Sequence, residues 1–223
     1  MSTTNTGSSI RFRTTPGQMP GNSRQRRGKE DRRVGRTRKL LEDALYDLIV
    51  EKGYDAVTVR DIIDRANVGR STFYAHYNDK TQLLFSHFGE LEALLVEQQR
   101  LVRARSGDPV ERLFGFSLAM FQHAHQYRRV WAAMVGKQSG AAVLREIQRI
   151  LEKIVGREVT ALVPRGSTPA VPPAVITQFL VNSLLGLHTW WMDEGSRHSA
   201  EEVDRMYRTM TKPGIAAALR PPR

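Results

Sequence analysis

Two short helical patterns separated by a tight turn constrain the fold of this chain more than any other feature. The first extends from Thr58 to Ala66 and carries one apolar stripe at helical spacing. The second begins near Arg70 and places Phe73 and Tyr77, four residues apart, on a common face. Helices this short are marginally stable in water, so both must pack against a third helix.

The first pattern and the turn after it have recognisable end signals. Thr58 and Asp61 have the spacing of a capping box, in which each side chain binds the other residue's backbone N–H. Asn67 stands in the turn and is one of the few residue types besides glycine that tolerate a left-handed backbone. These signals predict a helix, a turn and a second helix.

A supporting helix is predicted over residues 37–52, where apolar residues recur at helical spacing before Gly53: Leu41, Ala44, Leu45, Leu48 and Ile49. Its first turn would carry Arg36, Arg38 and Lys39. The helix dipole disfavours cations at a helix N-terminus, and nearby phosphates would reverse that penalty. We therefore expect these three cations to contact a nucleic-acid backbone.

The outward face of the second short helix consists of hydrogen-bonding side chains around one cation: Arg70, Ser71, Thr72, Tyr74 and His76. A helix-turn-helix places such a face in the major groove of DNA. The same segments resemble the DNA-binding domain of TetR-family transcriptional regulators. The resemblance covers residues 36–88 and rests on Lys52-Gly53-Tyr54, Thr58-Val59-Arg60-Asp61-Ile62 and Ser71-Thr72-Phe73-Tyr74-Ala75-His76-Tyr77 with Lys80. Asn67 and Gly69 depart from the family pattern, where Gly and a capping Ser are usual.

The resemblance implies a role for each matching residue. Arg60 and Arg70 would reach base edges or nearby phosphate, since the guanidinium fork suits guanine. Four residues would mostly contact the DNA backbone: Thr72, Tyr74, His76 and Lys80. Ser71, on the same face, is also expected to contact DNA. The alternatives are a core role for Phe73 and Tyr77, which we favour, and a solvated surface for the others.

Composition and charge restrict the class of partner. The chain has 223 residues, no Cys and a net charge of +11, which favours a polyanionic partner such as nucleic acid over an acidic membrane surface. Residues 1–35 carry eight basic and two acidic residues, or +6 of that charge, and are predicted to be a disordered arm. The arm would contact DNA or act as a solubilising tail or a mis-assigned start, and an organelle transit peptide ranks below these.

The apolar residues of the remaining chain recur at helical spacing, which predicts helices throughout and an all-α fold class. After a helix-turn-helix domain at 36–88, residues 89–223 would form a ligand-binding and dimerisation domain. A connecting helix begins near Asp79 and ends at Ser106, and one buried helix is predicted to follow Pro109. Further helices are predicted over residues 141–162, 174–194 and from 200 onward, with a Pro-rich loop at 164–173.

Two interaction sites are predicted in this second domain. A cavity for a small apolar or amphipathic ligand would be lined by Phe114, Phe121, Trp131 and Met134, although aromatic residues at helical spacing are more often core. The segment Trp190-Trp191-Met192-Asp193-Glu194-Gly195 is similar to the end of the penultimate helix in some TetR-family chains. That resemblance implies a four-helix homodimer interface, the alternative being a monomeric core.

Several other functions lack support. Gly136-Lys137-Gln138-Ser139 lacks the spacing of a phosphate-binding loop, and His123 and His125 diverge on a helix. No Gly-x-Ser-x-Gly motif, secretory leader or membrane span is present, so we predict neither enzyme activity nor a metal or cofactor, and a cytoplasmic location.

The expected function is a dimeric repressor that a small-molecule ligand releases from a palindromic double-stranded DNA operator. One alternative is a TetR-like protein that acts through a protein partner or without ligand, as an activator or in a nucleoid-associated role. The other is an enzyme or a membrane-surface protein that uses its basic charge alone.

Overall fold

The computed structural model describes the backbone of residues 21–134, 138–163, 166, 168–193 and 197–220, and the side chains from residue 32 onward except that of Gln138. These residues contain helices and turns and no strand, which confirms the predicted all-α fold. The chain divides into two units, residues 1–38 and residues 39–223. No helix among the described residues is long and apolar enough to cross a membrane.

Ten α-helices lie along the described chain, with a short 3-10 turn at Tyr54–Ala56 after the first. Their bounds are α1 Gly21–Lys52, α2 Val59–Ala66, α3 Arg70–His76, α4 Lys80–Arg105, α5 Pro109–Arg112, α6 Ser117–Gln126, α7 Arg128–Met134, α8 Gln138–Leu162, α9 Pro173–Asp193 and α10 Ala200–Ala218.

The first helix begins much earlier than expected. Residues 21–35 of the predicted disordered arm belong to α1, and residues 1–20 lie outside the described residues. The segment is rich in Arg, Lys, Gln and Glu, which have high helix propensity. Arg36, Arg38 and Lys39 therefore lie inside a helix, so their predicted position in an N-terminal turn was wrong. The Lys39 ammonium instead pairs with Asp43 at 3.2 Å.

Within residues 39–223, α1, α2 and α3 pack their apolar faces together. The side chains of Ile62 and Phe73 are fully buried, and that of Tyr77 is 5% exposed, so the preferred core role of Phe73 and Tyr77 is confirmed. The helix α4 then runs without interruption through residue 88. The boundary between a DNA-binding and a ligand-binding domain at that residue stays a prediction.

The single buried helix expected after Pro109 is divided in two. The helix α5 ends at Arg112 and α6 begins at Ser117. Gly115 lies in the turn between them, close against α4. A β-carbon at this position would meet Gln99 at 2.7 Å from Oε1 and 3.1 Å from Cα. The close approach to α4 explains why the turn needs a residue without a side chain.

Gly115→Ala is expected to lower the free energy of unfolding by about 1 to 2 kcal/mol, because the added methyl group overpacks against the α4 backbone. Gly89→Ala is the matched control, since nothing lies within 4 Å of its β-carbon position inside the same helix α4. That change should stabilise by up to about 1 kcal/mol through helix propensity. Urea titration of both variants measures the difference, and equal stabilities would contradict the close approach.

The helices after α4 form a second group around the same core. The helix α8 packs along α9, and α10 packs against α6 and α9. The hydroxyl of Tyr207 on α10 donates to the carbonyl of Leu180 on α9 at 2.8 Å, which fixes that crossing. Leu180 and Tyr207 are themselves buried, so this part of α9 and α10 belongs to the core.

Candidate DNA-binding and effector sites

The predicted end signals of α2 and α3 are present. The Thr58 hydroxyl accepts from the Asp61 amide at 3.2 Å, and the Thr58 amide donates to the Asp61 carboxylate at 2.7 Å, which completes the capping box. Asn67 ends α2 in the left-handed region with φ of 51°. Gly69 precedes α3 and provides no side-chain cap.

Two ion pairs hold α2 against the end of α1. The Lys52 ammonium lies 2.8 Å from the Asp61 carboxylate, and the Arg65 guanidinium makes two hydrogen bonds of 2.7 and 2.8 Å to Glu51. The Lys52 ammonium, followed by Thr58, holds the pKa of Asp61 well below its ordinary value. Both cations are partly exposed, and their ion pairs with carboxylates of the neighbouring helix position α2.

The recognition face, defined as Arg60 with the predicted residues 70–72, 74 and 76, is largely open to solvent. The side chain of Arg60 is 89% exposed and lies 3.7 Å from Asp64, and Tyr74 is 46% exposed. The Arg70 guanidinium lies 5.6 Å from the centre of the Tyr74 ring. Ser71 is exposed, whereas Thr72 and His76 are half-buried.

A shallow depression of about 250 Å³ lies on this face between α2 and α3. Its lining includes both arginines of the recognition face and Tyr74, with Ile63 and Asp64. The two short helices thus bring the predicted base-contacting residues Arg60 and Arg70 together. Their contacts with DNA stay predictions.

Lys80, in contrast, is directed inward. Its ammonium donates to the carbonyl oxygens of Tyr54, Asp55 and Val57 at 3.0, 3.3 and 2.7 Å, and lies 4.5 Å from the centre of the Tyr54 ring. An ammonium has three donors, and these carbonyls take all of them. We therefore infer that Lys80 holds the turn before α2 in place, which differs from the predicted phosphate contact.

A second site lies within the unit of residues 39–223, between α1, α4, α6, α7, α8 and α9. It is a cavity of about 70 Å³ whose lining includes the predicted residues Trp131 and Met134. The other lining residues are Tyr46, Leu84, Phe88, Met120, His123, Ala124, Tyr127, Val130, Val143, Ile147 and His188. Most of these side chains are apolar, so the cavity suits a small molecule with little charge.

The predicted residues Phe114 and Phe121 do not line this cavity. Both are fully buried, and their rings pack edge-on against Tyr207 at 5.6 and 6.2 Å. Their helical spacing with the other aromatic residues therefore reflects core packing, which was the alternative interpretation.

Two polar atoms in the cavity wall lack partners. The ring Nε1 of Trp131 and Nδ1 of His188 are buried without a hydrogen bond, and the two rings meet edge-on at 5.0 Å. Burial lowers the pKa of His188 to about 4, so its imidazole is neutral at physiological pH. His188 was not predicted as a site residue, because a single histidine in an apolar helix is more often a core residue.

Comparison with known proteins identifies the group to which this arrangement belongs. The profile of bacterial regulatory proteins of the tetR family matches residues 41–87, which include α2 and α3, and a profile of transcriptional regulator C-terminal regions matches residues 111–213. The chain belongs to the TetR family. It is accordingly a DNA-binding transcriptional regulator, and the members of this family are not enzymes.

Individual relatives of this TetR-family regulator are distant. It is 24% identical over 196 residues to YxbF, an uncharacterized helix-turn-helix-type transcriptional regulator of Bacillus subtilis, over 85% of this chain and 48% of YxbF. The chain thus spans about half the length of that relative.

Two solved structures share the fold. A proposed TetR-family regulator from Syntrophomonas wolfei aligns with a TM-score of 0.69 at 20% identity, covering 81% of this chain and 95% of that one. NalD, the secondary repressor of the MexAB-OprM multidrug efflux pump in Pseudomonas aeruginosa, aligns with a TM-score of 0.59 at 18% identity, covering 81% and 96%.

The TetR-family chain also has an apolar face on α9 and α10 that the rest of the described chain leaves exposed. Phe179 is 52% exposed, Trp190 is 41% exposed and Met210 is 64% exposed. Trp190 and Met210, with Leu187 and Met206, line a groove of about 600 Å³. Trp191 is buried instead, and its Nε1 donates to the His198 carbonyl at 3.0 Å, so the two adjacent tryptophans face opposite ways.

Proposed function

We propose that this regulator is a homodimeric repressor that binds an inverted-repeat operator through the recognition faces of its two subunits. One observation carries the proposal. Of the five cations from Lys52 to Lys80, Lys52 and Arg65 pair with a carboxylate of the neighbouring helix and Lys80 donates to backbone carbonyls, whereas Arg60 and Arg70 lie exposed on one face. Arg60 lies 3.7 Å from Asp64, one turn along its own helix. Such a pair beside Tyr74 suits base edges flanked by phosphates. The assignment as a repressor draws support from NalD, which shares the fold.

Selection of bound sequences from a random DNA pool, with the full-length protein at near-physiological salt, tests this proposal. We expect recovery of an inverted repeat, because a two-fold symmetric dimer presents two identical recognition helices. Salt-sensitive binding without sequence preference would overturn it. That result would favour a structural role in which the basic segment before α2 is the main DNA contact.

Arg70→Ala is expected to weaken binding to the selected operator by about tenfold and to relax the preference at one position of each half-site, because a bidentate Arg–base pair contributes about 1 to 3 kcal/mol. Arg100→Ala is the matched control, since Arg100 is an exposed arginine that pairs with Glu97 on α4, outside the helix-turn-helix. Competition against single-base operator variants provides the measurement. An unchanged preference profile would remove Arg70 from base recognition.

We further propose that the effector is a small, neutral molecule with one ring and a hydrogen-bonding group, bound in the cavity at Trp131. A buried polar atom without a partner costs about 1 to 3 kcal/mol, so a ligand that satisfies Trp131 Nε1 and His188 Nδ1 recovers part of that cost. A neutral His188 gives no compensating charge for a carboxylate. The cavity therefore disfavours anions.

The residues of the cavity wall indicate how effector binding would change the affinity for DNA. An apolar cavity of about 150 Å³ holds benzene, so a cavity of about 70 Å³ must widen to admit a ring. Tyr46 on α1 and Leu84 and Phe88 on α4 form part of the wall, and these helices also pack against the helix-turn-helix. A ligand that prefers the wider state shifts the population, and a coupling of about 1 to 3 kcal/mol changes operator affinity about 5- to 150-fold.

Phenol is expected to raise the melting temperature of the protein more than toluene, and benzoate is expected to have no effect. The three probes share one ring, and among them only phenol offers a neutral polar group to Trp131 and His188. Trp131→Phe replaces the indole with a smaller aromatic ring that has no N–H, and should lower phenol affinity about fivefold, since a neutral hydrogen bond contributes about 1 kcal/mol. Equal binding of phenol and toluene by calorimetry would exclude the polar pair.

A further inference from the structure

A cluster of three side chains with metal-binding chemistry lies outside the two sites described above. Glu42 is on α1, and His87 and Glu90 are one turn apart on α4. One ring nitrogen of His87 and one carboxylate oxygen of each glutamate lie within 4.8 Å of one another. Glu42 lies 45 positions before His87 in the sequence, so no motif spacing indicates this cluster.

The imidazole of His87 is the central observation. Its side chain is 13% exposed, and neither ring nitrogen has a hydrogen-bond partner. Nδ1 lies 3.9 Å from the Glu90 carboxylate, which is too far for a hydrogen bond. The ring is held in place by stacking on His123 at 5.1 Å and by an edge-on contact with Tyr127 at 4.7 Å. One ring nitrogen of His87 is therefore held at a fixed position beside the two carboxylates without a hydrogen-bond partner.

The charges of the cluster match a divalent cation. Two carboxylates and a neutral imidazole carry two negative charges, and the nearby Lys39 ammonium is paired with Asp43 at 3.2 Å. Zn²⁺ accepts one nitrogen and two oxygen ligands at bond lengths of about 2.0 to 2.2 Å, with water in the fourth position. Ligand atoms around such an ion lie about 3.4 Å apart, so the cluster must contract slightly. Glu90, whose side chain is 72% exposed, is free to turn inward.

We propose that Glu42, His87 and Glu90 bind one divalent transition-metal ion, for which Zn²⁺ is the best match. The ion would join α1, which packs under the helix-turn-helix, to α4, which leads into the C-terminal helices. Metal binding would thus restrain α1 and α4, two of the helices that line the effector cavity. The proposal does not depend on the effector, because no residue of the cluster lines that cavity.

Calorimetric titration of ZnCl₂ into the full-length, tag-free protein tests the site. We expect saturable binding of one ion per chain, a rise in melting temperature and, with CoCl₂, the visible absorption of tetrahedral Co²⁺ bound by nitrogen and oxygen ligands. His87→Gln should lower Zn²⁺ affinity at least about 100-fold, and Glu90→Gln about tenfold, since each removes one ligand. His125→Gln is the control, because His125 is exposed on α6 and stacks on Trp191.

Glu90→Gln alters an exposed side chain, so its result does not depend on whether His87→Gln folds normally. Absence of saturable binding to the wild-type protein overturns the proposal. Wild-type affinity in both variants overturns it as well, because the ion would then be bound elsewhere. A loss of affinity in His125→Gln alone would assign the ion to another histidine.

Discussion

Replacing both Phe179 and Met210 with aspartate is expected to make the protein monomeric and to lower its operator affinity at least about 100-fold. These residues are exposed apolar side chains on α9 and α10, and a second copy of the chain would cover them in the proposed dimer. Burying four carboxylates in that interface is unfavourable. A dimer gains about 10² to 10⁴ in affinity by binding two half-sites together, and a monomer loses this gain.

Sedimentation and operator titration at one protein concentration measure the two effects together. Val96→Asp is the matched control, because Val96 is 42% exposed on α4 and does not line the groove on α9 and α10. It should leave both the dimer and the operator affinity unchanged. A double variant that sediments as a dimer would show that another surface joins the subunits.

The second large effect is expected at Lys80. Lys80→Met keeps the length of the side chain and removes the ammonium, which leaves three backbone carbonyls without their donor and removes the contact with the Tyr54 ring. Each hydrogen bond from a charged donor contributes about 1.5 to 3 kcal/mol to stability, and partial exposure to solvent lowers the sum of the three. We therefore expect the free energy of unfolding to fall by about 2 to 4 kcal/mol. For a chain of this size the melting temperature should fall by about 5 to 15 °C.

The salt dependence of DNA binding distinguishes this role from a phosphate contact. A lysine that binds phosphate contributes about one unit to the slope of log affinity against log salt concentration. An internal donor contributes nothing to that slope, so Lys80→Met should weaken binding and leave the slope unchanged. A normal melting temperature with a slope reduced by one unit would restore the phosphate contact.

The helix-turn-helix was predictable because its signals are local. The capping box of Thr58 and Asp61 and the left-handed Asn67 each depend on a few neighbouring residues, and both are present. The burial of Phe73 and Tyr77 follows from their spacing along one helix. Local signals also predicted the break before Pro109.

Features that depend on distant contacts were missed. The turn at Gly115 depends on its approach to Gln99, and the sequence around it is apolar enough to continue a helix. Lys80 binds carbonyls more than twenty positions earlier, so its spacing alone could not distinguish them from phosphates. His87 and His188 are candidate ligand-binding residues because their ring nitrogens are buried without hydrogen-bond partners. Burial of this kind depends on the tertiary structure, and no residue pattern predicts it.

The inward position of Lys80 also bears on how a signal is transmitted. Lys80 is the first residue of α4, and its ammonium is bound to the 3-10 turn that connects α1 with α2. A cation is normally unfavourable at the start of a helix, and the three carbonyls offset that penalty. The Lys80 ammonium thereby fixes the N-terminus of α4 to this turn. A displacement of α4 would therefore rotate α1, α2 and α3 together and leave the geometry among these three helices unchanged. In the proposed dimer, an effector would then alter the distance between the two recognition helices. The base preference within each half-site would stay the same.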